Sequence, residues 1–223
     1  MTARRRGTDG RANKRKAESG IKKVKQQTLK QDAQSKRATA AMRARKAEFA
    51  HHPSPNIRGG DPNLPAKRAE DSQLRLSLVM NPILANPLGN VHGGEIMKLV
   101  DETGGFCAMK HARNVTVTVA MDSMTFLSPV HVGSLLTLHA SVNWVGRTSM
   151  EVGVRVEAEN VVTGQVTHTN SAYLVYVALD QFGQPSPVPP LRIETEAENR
   201  RWEAGAARQA HRLKQANKKA EVA

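Results

Sequence analysis

Asn86-Pro-Leu-Gly-Asn-Val-His-Gly-Gly-Glu-Ile-Met-Lys-Leu-Val-Asp101 is the stretch whose reading decides the fold. Its first half is rich in turn residues, with prolines at 82 and 87 in and just ahead of it. The Gly93-Gly94 pair then opens a run with helical spacing: Ile96, Leu99, Val100, Thr103, Phe106, Cys107 and Met109. The remaining positions to Ala112 are mostly small or apolar, so the spacing predicts a helix over about 93–112 that is buried on nearly every face. Asp101 stands in the middle of it. A carboxylate in a buried helix is costly unless it is paired or used.

Working outward, Leu74, Leu76, Leu78 and Met80 alternate with other residues ahead of the loop and predict a short strand. After the helix come four more strand-like runs, at 115–127, 134–145, 150–159 and 166–179. The third is the clearest: Val152, Val154, Val156 and Ala158 alternate with Gly153, Arg155, Glu157 and Glu159. One apolar face and one polar face are what an antiparallel sheet covered on one side requires. The connections at 129–133, 146–149 and 160–165 are short, which suits antiparallel neighbours and leaves no room for crossover helices. The expected class is α+β: an antiparallel five-stranded sheet curled around one long central helix.

The ends of the chain differ in composition. Residues 1–50 carry 16 of the 33 basic side chains and 4 of the 20 acidic ones, so nearly all of the net charge of +13 lies there. The rest is close to neutral, and the high charge says little about what the domain binds. Residues 1–65 read as a basic disordered tail and a Pro/Gly linker. The domain is expected at 72–182, and 183–223 as a Pro-rich connector followed by a charged surface helix. Salt-sensitive nucleic-acid binding is conceivable only through the basic tail. A single cysteine, Cys107, excludes an internal disulfide and fits a reducing, cytoplasmic compartment. No apolar run is long enough to span a membrane, and no apolar core follows the N-terminal charges as in a secretory signal.

Chemistry concentrates at the start of the predicted helix. The first N–H groups of a helix lack intrahelical partners, and two glycines leave them open to an anion or a polarised carbonyl. His92-Gly93-Gly94 therefore reads either as an oxyanion site or as a plain Gly-rich helix start. His92 serves as a base, a loop brace or a helix cap; with no nucleophile or metal-ligand partner at a telling spacing, a positioning role is favoured. Asp101 reads equally as a reacting carboxylate or as one satisfied by backbone N–H groups or an arginine. Asn86 is either a turn residue or an amide that orients a water or bonds a substrate carbonyl. At ~1.5 Å per residue, Gly93 and Asp101 lie ~12 Å apart along one helix. They share one substrate only if a second, antiparallel copy lies alongside, which demands at least a two-fold dimer. Gly104 and Gly105 predict a close approach of helix to helix or helix to sheet. Gly146-Arg147-Thr148-Ser149 is a tight hairpin that suits a phosphate or an ordinary turn. The histidines show no metal pattern, and nothing calls for a cofactor.

These segments together resemble the hotdog-fold acyl-CoA thioesterases, in particular the cytosolic acyl-CoA hydrolase branch that includes brain acyl-CoA hydrolase. The carrying motifs are Asn86-Pro-Leu-Gly-Asn-Val-His-Gly-Gly, Met97-Lys-Leu-Val-Asp-Glu, Met124-Thr-Phe-Leu-Ser-Pro-Val, Gly146-Arg-Thr-Ser-Met, and Pro187-Val-Pro-Pro-Leu followed by Glu194-Thr-Glu. The resemblance spans about Leu74 to Lys214. It implies hydrolysis of a fatty acyl-CoA to CoA and free acid. Asp101 would be general base or nucleophile, Asn86 would hold the carbonyl or water, the Gly93 N–H of the opposite protomer would be the oxyanion donor, and His92 would support the loop. Gly94, Arg147, Thr148 and Ser149 would lie near CoA. Some members place a Ser or Thr on the strand after the helix to position water; the nearest positions here are Thr118, Val119 and Ala120. Others carry two such domains per chain, so this chain is expected to form a homodimer or a trimer of dimers. A module that binds acyl-CoA without turnover is the alternative.

Overall fold

The computed structural model describes residues 56–122 and 124–222. Helix α1 spans Gly93–Ala112. His92 caps its start, and Arg113, left-handed at φ 59°, ends it by donating its N–H to Met109 O. The buried face of α1 is Ile96, Val100, Thr103, Gly104, Cys107, Ala108, His111 and Ala112. The expected burial on nearly every face is corrected here. Met97 and Phe106 are 40% and 61% exposed, because a single sheet covers only one side of the helix.

That sheet is built from β3 (Leu74–Val79), β4 (Val115–Met121), β5 (Thr125–Phe126), β6 (Leu135–Val145), β7 (Ser149–Asn160) and β8 (Gln165–Leu179). The order is β3-β6-β7-β8-β4, antiparallel throughout, and β5 also pairs with β8. A long helix held by one curled antiparallel sheet is the hotdog arrangement. The run expected at 115–127 is broken in two. From Met121↔Leu174 to Thr125↔Ser171 the chain takes four steps against three on β8. The extra residue interrupts the ladder, as a bulge does. Asp122 leaves at this point to meet Arg212. The core is the alternating face of β6 to β8, with Leu136, Leu138, Val152, Val154, Val156 and Leu174 closed over α1.

A second, three-stranded sheet corrects the expected linker. β1 (Asn56–Arg58) pairs antiparallel with β9 (Leu191–Ile193), and β2 (Lys67–Arg68) runs parallel to β9 on its other side. The fold thus includes 56–71, ahead of the expected start near Ser72. Gly59, at φ 60°, passes so close to the backbone that a Cβ there would sit 2.0 Å from Val145 O. Strands of two or three residues show no periodicity, and their partner lies beyond residue 190, so local pattern cannot reveal them. The tail at 1–55 lies outside the described residues.

Helix α2 (Glu196–Val222) is more than a charged surface element. Trp202 and Gly205 are buried, and the Trp202 ring lies 6.2 Å from that of Trp144. Glu151, fully buried on β7, accepts from Arg208 at 2.6 Å and Arg212 at 3.2 Å. Two of the charges that read as solvated, Arg208 and Arg212, fasten the helix. Among the described residues no helix is long and apolar enough to cross a membrane.

His111 joins α1 to the chain on either side. Its Nε2 meets Pro189 O at 3.0 Å, Ser72 Oγ lies 3.4 Å from Nδ1, and the Lys67 ammonium donates to its main-chain oxygen at 2.5 Å. Burial pushes its pKa from 6.5 down to about 4, opposed in part by the Pro189 carbonyl. The unfolded chain therefore takes up this proton at a higher pH than the folded one. Its contribution is complete above about pH 6.5 and is lost as pH falls toward 4, by roughly 3 kcal/mol. Urea unfolding from pH 7.5 to 4.5 should show this slope, and His111→Asn should flatten it relative to the parent chain.

Candidate active site

The site begins at the cap of α1. His92 Nδ1 accepts the Gly94 N–H at 3.0 Å, so this nitrogen carries no proton. The same residue's carbonyl accepts from Glu95 at 3.0 Å. Of the three first helical donors, only the Gly93 N–H meets no acceptor among the described residues. Phe126 stands beside it, and a Cβ on Gly93 would come within 3.2 Å of the ring. The expected pair of free glycine donors is thereby reduced to one. Gly94 serves the His92 cap.

Asn86 anchors the preceding loop. Its Oδ1 accepts from Leu88 N at 2.9 Å and from Asn90 N at 3.3 Å, and its main chain closes the turn with Asn90 and Gly89. This commits the oxygen and leaves the amide NH2 with no acceptor among the described residues. The turn continues outward, where Asn90 Oδ1 meets His131 Nδ1 at 2.9 Å. The two readings of Asn86 are thus compatible: the oxygen makes the turn, and the nitrogen remains a donor.

Asp101 is half-buried in a single chain rather than sealed in a dry helix. Thr118 Oγ1, from β4, donates to its Oδ1 at 2.7 Å. The Tyr176 hydroxyl, from β8, lies 2.9 Å from the Asp101 main-chain oxygen and 3.3 Å from the same Oδ1. Among the described residues no arginine pairs with it, and none donates to Oδ2. The Asp101 carboxylate is therefore tethered through one oxygen and open at the other. Gly104 makes the close approach predicted for the glycine pair, and its neighbour is the Tyr176 hydroxyl on the sheet.

The Gly146–Ser149 hairpin stands apart within one chain. Ser149 pairs with Val177, close to where Leu179 pairs with Val115, just past the C-terminal end of α1. Its Arg147 and Thr148 carbonyls accept from Val188 and Ala178. It is thus at the opposite end of α1 from His92, Gly93 and Gly94. Cys107 is fully buried, which pushes its thiol up to about 12 and suits packing. Among the described residues no cluster of ligating side chains suits a metal ion. Tyr176 escaped the sequence reading. Its signal was alternation, which places it with Asn170, Ala172, Leu174 and Ala178 on the inward face of β8 as a polar tip among mostly apolar side chains.

The pattern of the thioesterase superfamily matches residues 88–176, which include the helix start, Asp101, Thr118 and Tyr176. The chain is 40% identical over 146 residues to Protein VdlD of Helicobacter pylori, covering 66% of this chain and 83% of that one. The chain belongs to the thioesterase superfamily. Among solved structures it is similar to a hexameric acyl-CoA thioesterase without ligand, at 39% identity and a TM-score of 0.66, covering 69% of this chain and 98% of that one. It is also similar to an acyl-CoA hydrolase from Staphylococcus aureus bound to butyryl coenzyme A, at 30% identity and a TM-score of 0.65, covering 71% and 98%. That hydrolase has been solved with alanine in place of an asparagine, of an aspartate fifteen residues later, and of a threonine seventeen residues beyond that. Asn86, Asp101 and Thr118 stand at the same two spacings.

Proposed function

We propose that this chain hydrolyses acyl-CoA thioesters to free acid and CoA, with Oδ2 of Asp101 as the reacting oxygen. The observation that carries the reading is the tethered, half-open carboxylate of Asp101, held by Thr118 at the spacings of the Staphylococcus aureus hydrolase. The thioester carbonyl is polarised by the Gly93 N–H and the Asn86 amide, two donors that the fold leaves unspent. Oδ2 then either takes a proton from the water that adds to the carbonyl carbon, or itself adds to that carbon to give an acyl–Asp101 anhydride that water later opens to free acid; in both courses CoA leaves as its thiolate. Single-turnover hydrolysis in 18O-labelled water tests the second course, because label in the Asp101 carboxylate arises only from an anhydride that water opens at the Asp101 carbon.

One chain cannot bring both halves of this site to one substrate, since ~12 Å of helix lies between Gly93 and Asp101. A second copy with its α1 antiparallel supplies the missing half. Two features support this assembly. Among the described residues β4 is an edge strand with a free side, and it exposes Val115, Val117, Val119 and Met121, while α1 exposes Phe106. An apolar exposed edge is a liability that a partner strand removes. We assign a homodimer as the minimal unit and a trimer of dimers as the larger form, in keeping with the hexameric relative. In such a pair the Arg147–Ser149 hairpin of one copy lies toward the α1 start of the other, where we keep it as a contact to the CoA phosphates. The buried lone thiol of Cys107 fits a cytoplasmic setting. We retain the basic segment ahead of residue 56 as a separate region, which predicts that removing residues 1–50 leaves hydrolysis unchanged.

Thiol release from acyl-CoA substrates of two to sixteen carbons, with the full chain, tests the proposal and reads its chain-length preference. Steady turnover is expected. Tight binding of acyl-CoA with no thiol released would instead mark a non-catalytic sensing module.

A further inference from the structure

We propose that Tyr176 is the positioning residue that decides which oxygen of Asp101 reacts; this rests on the reading of Asp101 given above. Tyr176 is 1% exposed, and its hydroxyl lies between two acceptors of a single residue, the main-chain oxygen and Oδ1 of Asp101. Thr118 Oγ1 reaches the same Oδ1. A carboxylate oxygen offers two good lone-pair sites, so two donors fill Oδ1 and leave Oδ2 as the basic, unblocked oxygen. The phenol can play this part over the whole working range of pH. Burial, with the Asp101 charge beside it, raises it above the ordinary phenol range and keeps it protonated.

The hydroxyl holds one proton for two acceptors. While Asp101 is charged, the carboxylate competes for that proton. Once Oδ2 has taken a proton or formed a bond to carbon, the charge is gone and the main-chain oxygen, at the shorter distance, retains it. The rotation of one O–H bond therefore follows the charge, and the ring stays packed. Gly104 is what admits the hydroxyl. A Cβ there would lie 2.4 Å from the phenol oxygen and 3.2 Å from Cζ. A glycine in a helix interior weakens the helix, and here it makes room for the donor.

The test uses the full chain in its native assembly. Tyr176→Phe should lower kcat roughly tenfold or more, the worth of a hydrogen bond to a charged group, with KM unchanged. The acid limb of kcat should move up, since a donor to the charged form is lost. Gly104→Ala should give the same kinetic change with the phenol still present, together with a lower Tm. Adding Tyr176→Phe to Gly104→Ala should restore Tm without restoring kcat. Wild-type turnover and pH dependence in Tyr176→Phe would overturn the proposal. So would a loss of kcat that tracks Tm while the pH profile stays in place. Gly104→Ala carries the test alone if the Phe variant does not fold. Undiminished turnover in Asp101→Asn, measured alongside, defeats the reading of Asp101 itself and is distinguishable from either result.

Discussion

Asp101→Asn is expected to lower kcat for acyl-CoA hydrolysis by about a thousandfold or more, while KM and the assembly stay as they are. Asparagine keeps the shape and the oxygen that Thr118 reaches at 2.7 Å, so the tether survives. What it lacks is an oxygen able to accept a proton or attack a carbonyl. Loss of general acid–base work costs ~10²- to 10⁴-fold, and loss of a nucleophile costs at least as much. On the proposed reading the substrate is gripped elsewhere, so binding should be preserved. Tm should hold or rise slightly, because a half-buried charge is removed. Thr118→Ala tests the tether separately. It should cost roughly tenfold, since the carboxylate remains but its orientation is freer. Thiol-release kinetics across pH 5 to 9, with thermal melts on the same samples, check both. A parallel fall in Tm and turnover for Asp101→Asn would mean that the residue holds the fold and not the chemistry.

The largest stability effect is expected where α2 meets the sheet. Glu151 is 0% exposed and is compensated by Arg208 and Arg212, while Arg212 also joins Asp122 at 2.5 Å. Arg208 in addition lies 3.7 Å above the Tyr173 ring. Replacing both arginines by alanine strands a carboxylate in the interior. An uncompensated buried charge of this kind costs about 3–5 kcal/mol. Glu151→Gln in that background should recover part of the loss, because the amide carries no charge. The reverse change, Glu151→Gln alone, should cost less than the double arginine variant, since Arg208 and Arg212 are partly exposed and can turn to water. Urea titration of the four chains gives the coupling directly. Losses that simply add in the triple variant, or that are near zero in all three, would show that α2 is held by Trp202 and its apolar neighbours, with the ion pairs contributing nothing.

The parts of this architecture that were legible in the amino-acid sequence are those governed by neighbours a few residues apart. The alternation of Val152, Val154, Val156 and Ala158 placed β7, and the spacing from Ile96 to Met109 placed α1, with its Gly-Gly start at the observed boundary. Strand and helix periods are local, so these elements followed from pattern alone. The candidate residues Asn86, His92, Gly93 and Asp101 were visible for the same reason: they lie in one stretch of sixteen residues. The break between β4 and β5 was not, because it comes from a mismatch of one residue against β8.

By itself, then, the sequence determined that one apolar helix with a carboxylate at its centre must be closed by an antiparallel sheet, and that Gly93 and Asp101 of one chain are too far apart to share a thioester. The tertiary structure decided which groups hold that carboxylate. Thr118 is seventeen residues away and Tyr176 seventy-five. It also decided that the Glu151 carboxylate is buried under α2, and that the segment from 56 joins the fold through β9. The reason is register. A hydroxyl reaches a carboxylate across strands only after every ladder between them has been set, and a ladder is fixed by the whole sheet rather than by any stretch of chain within it.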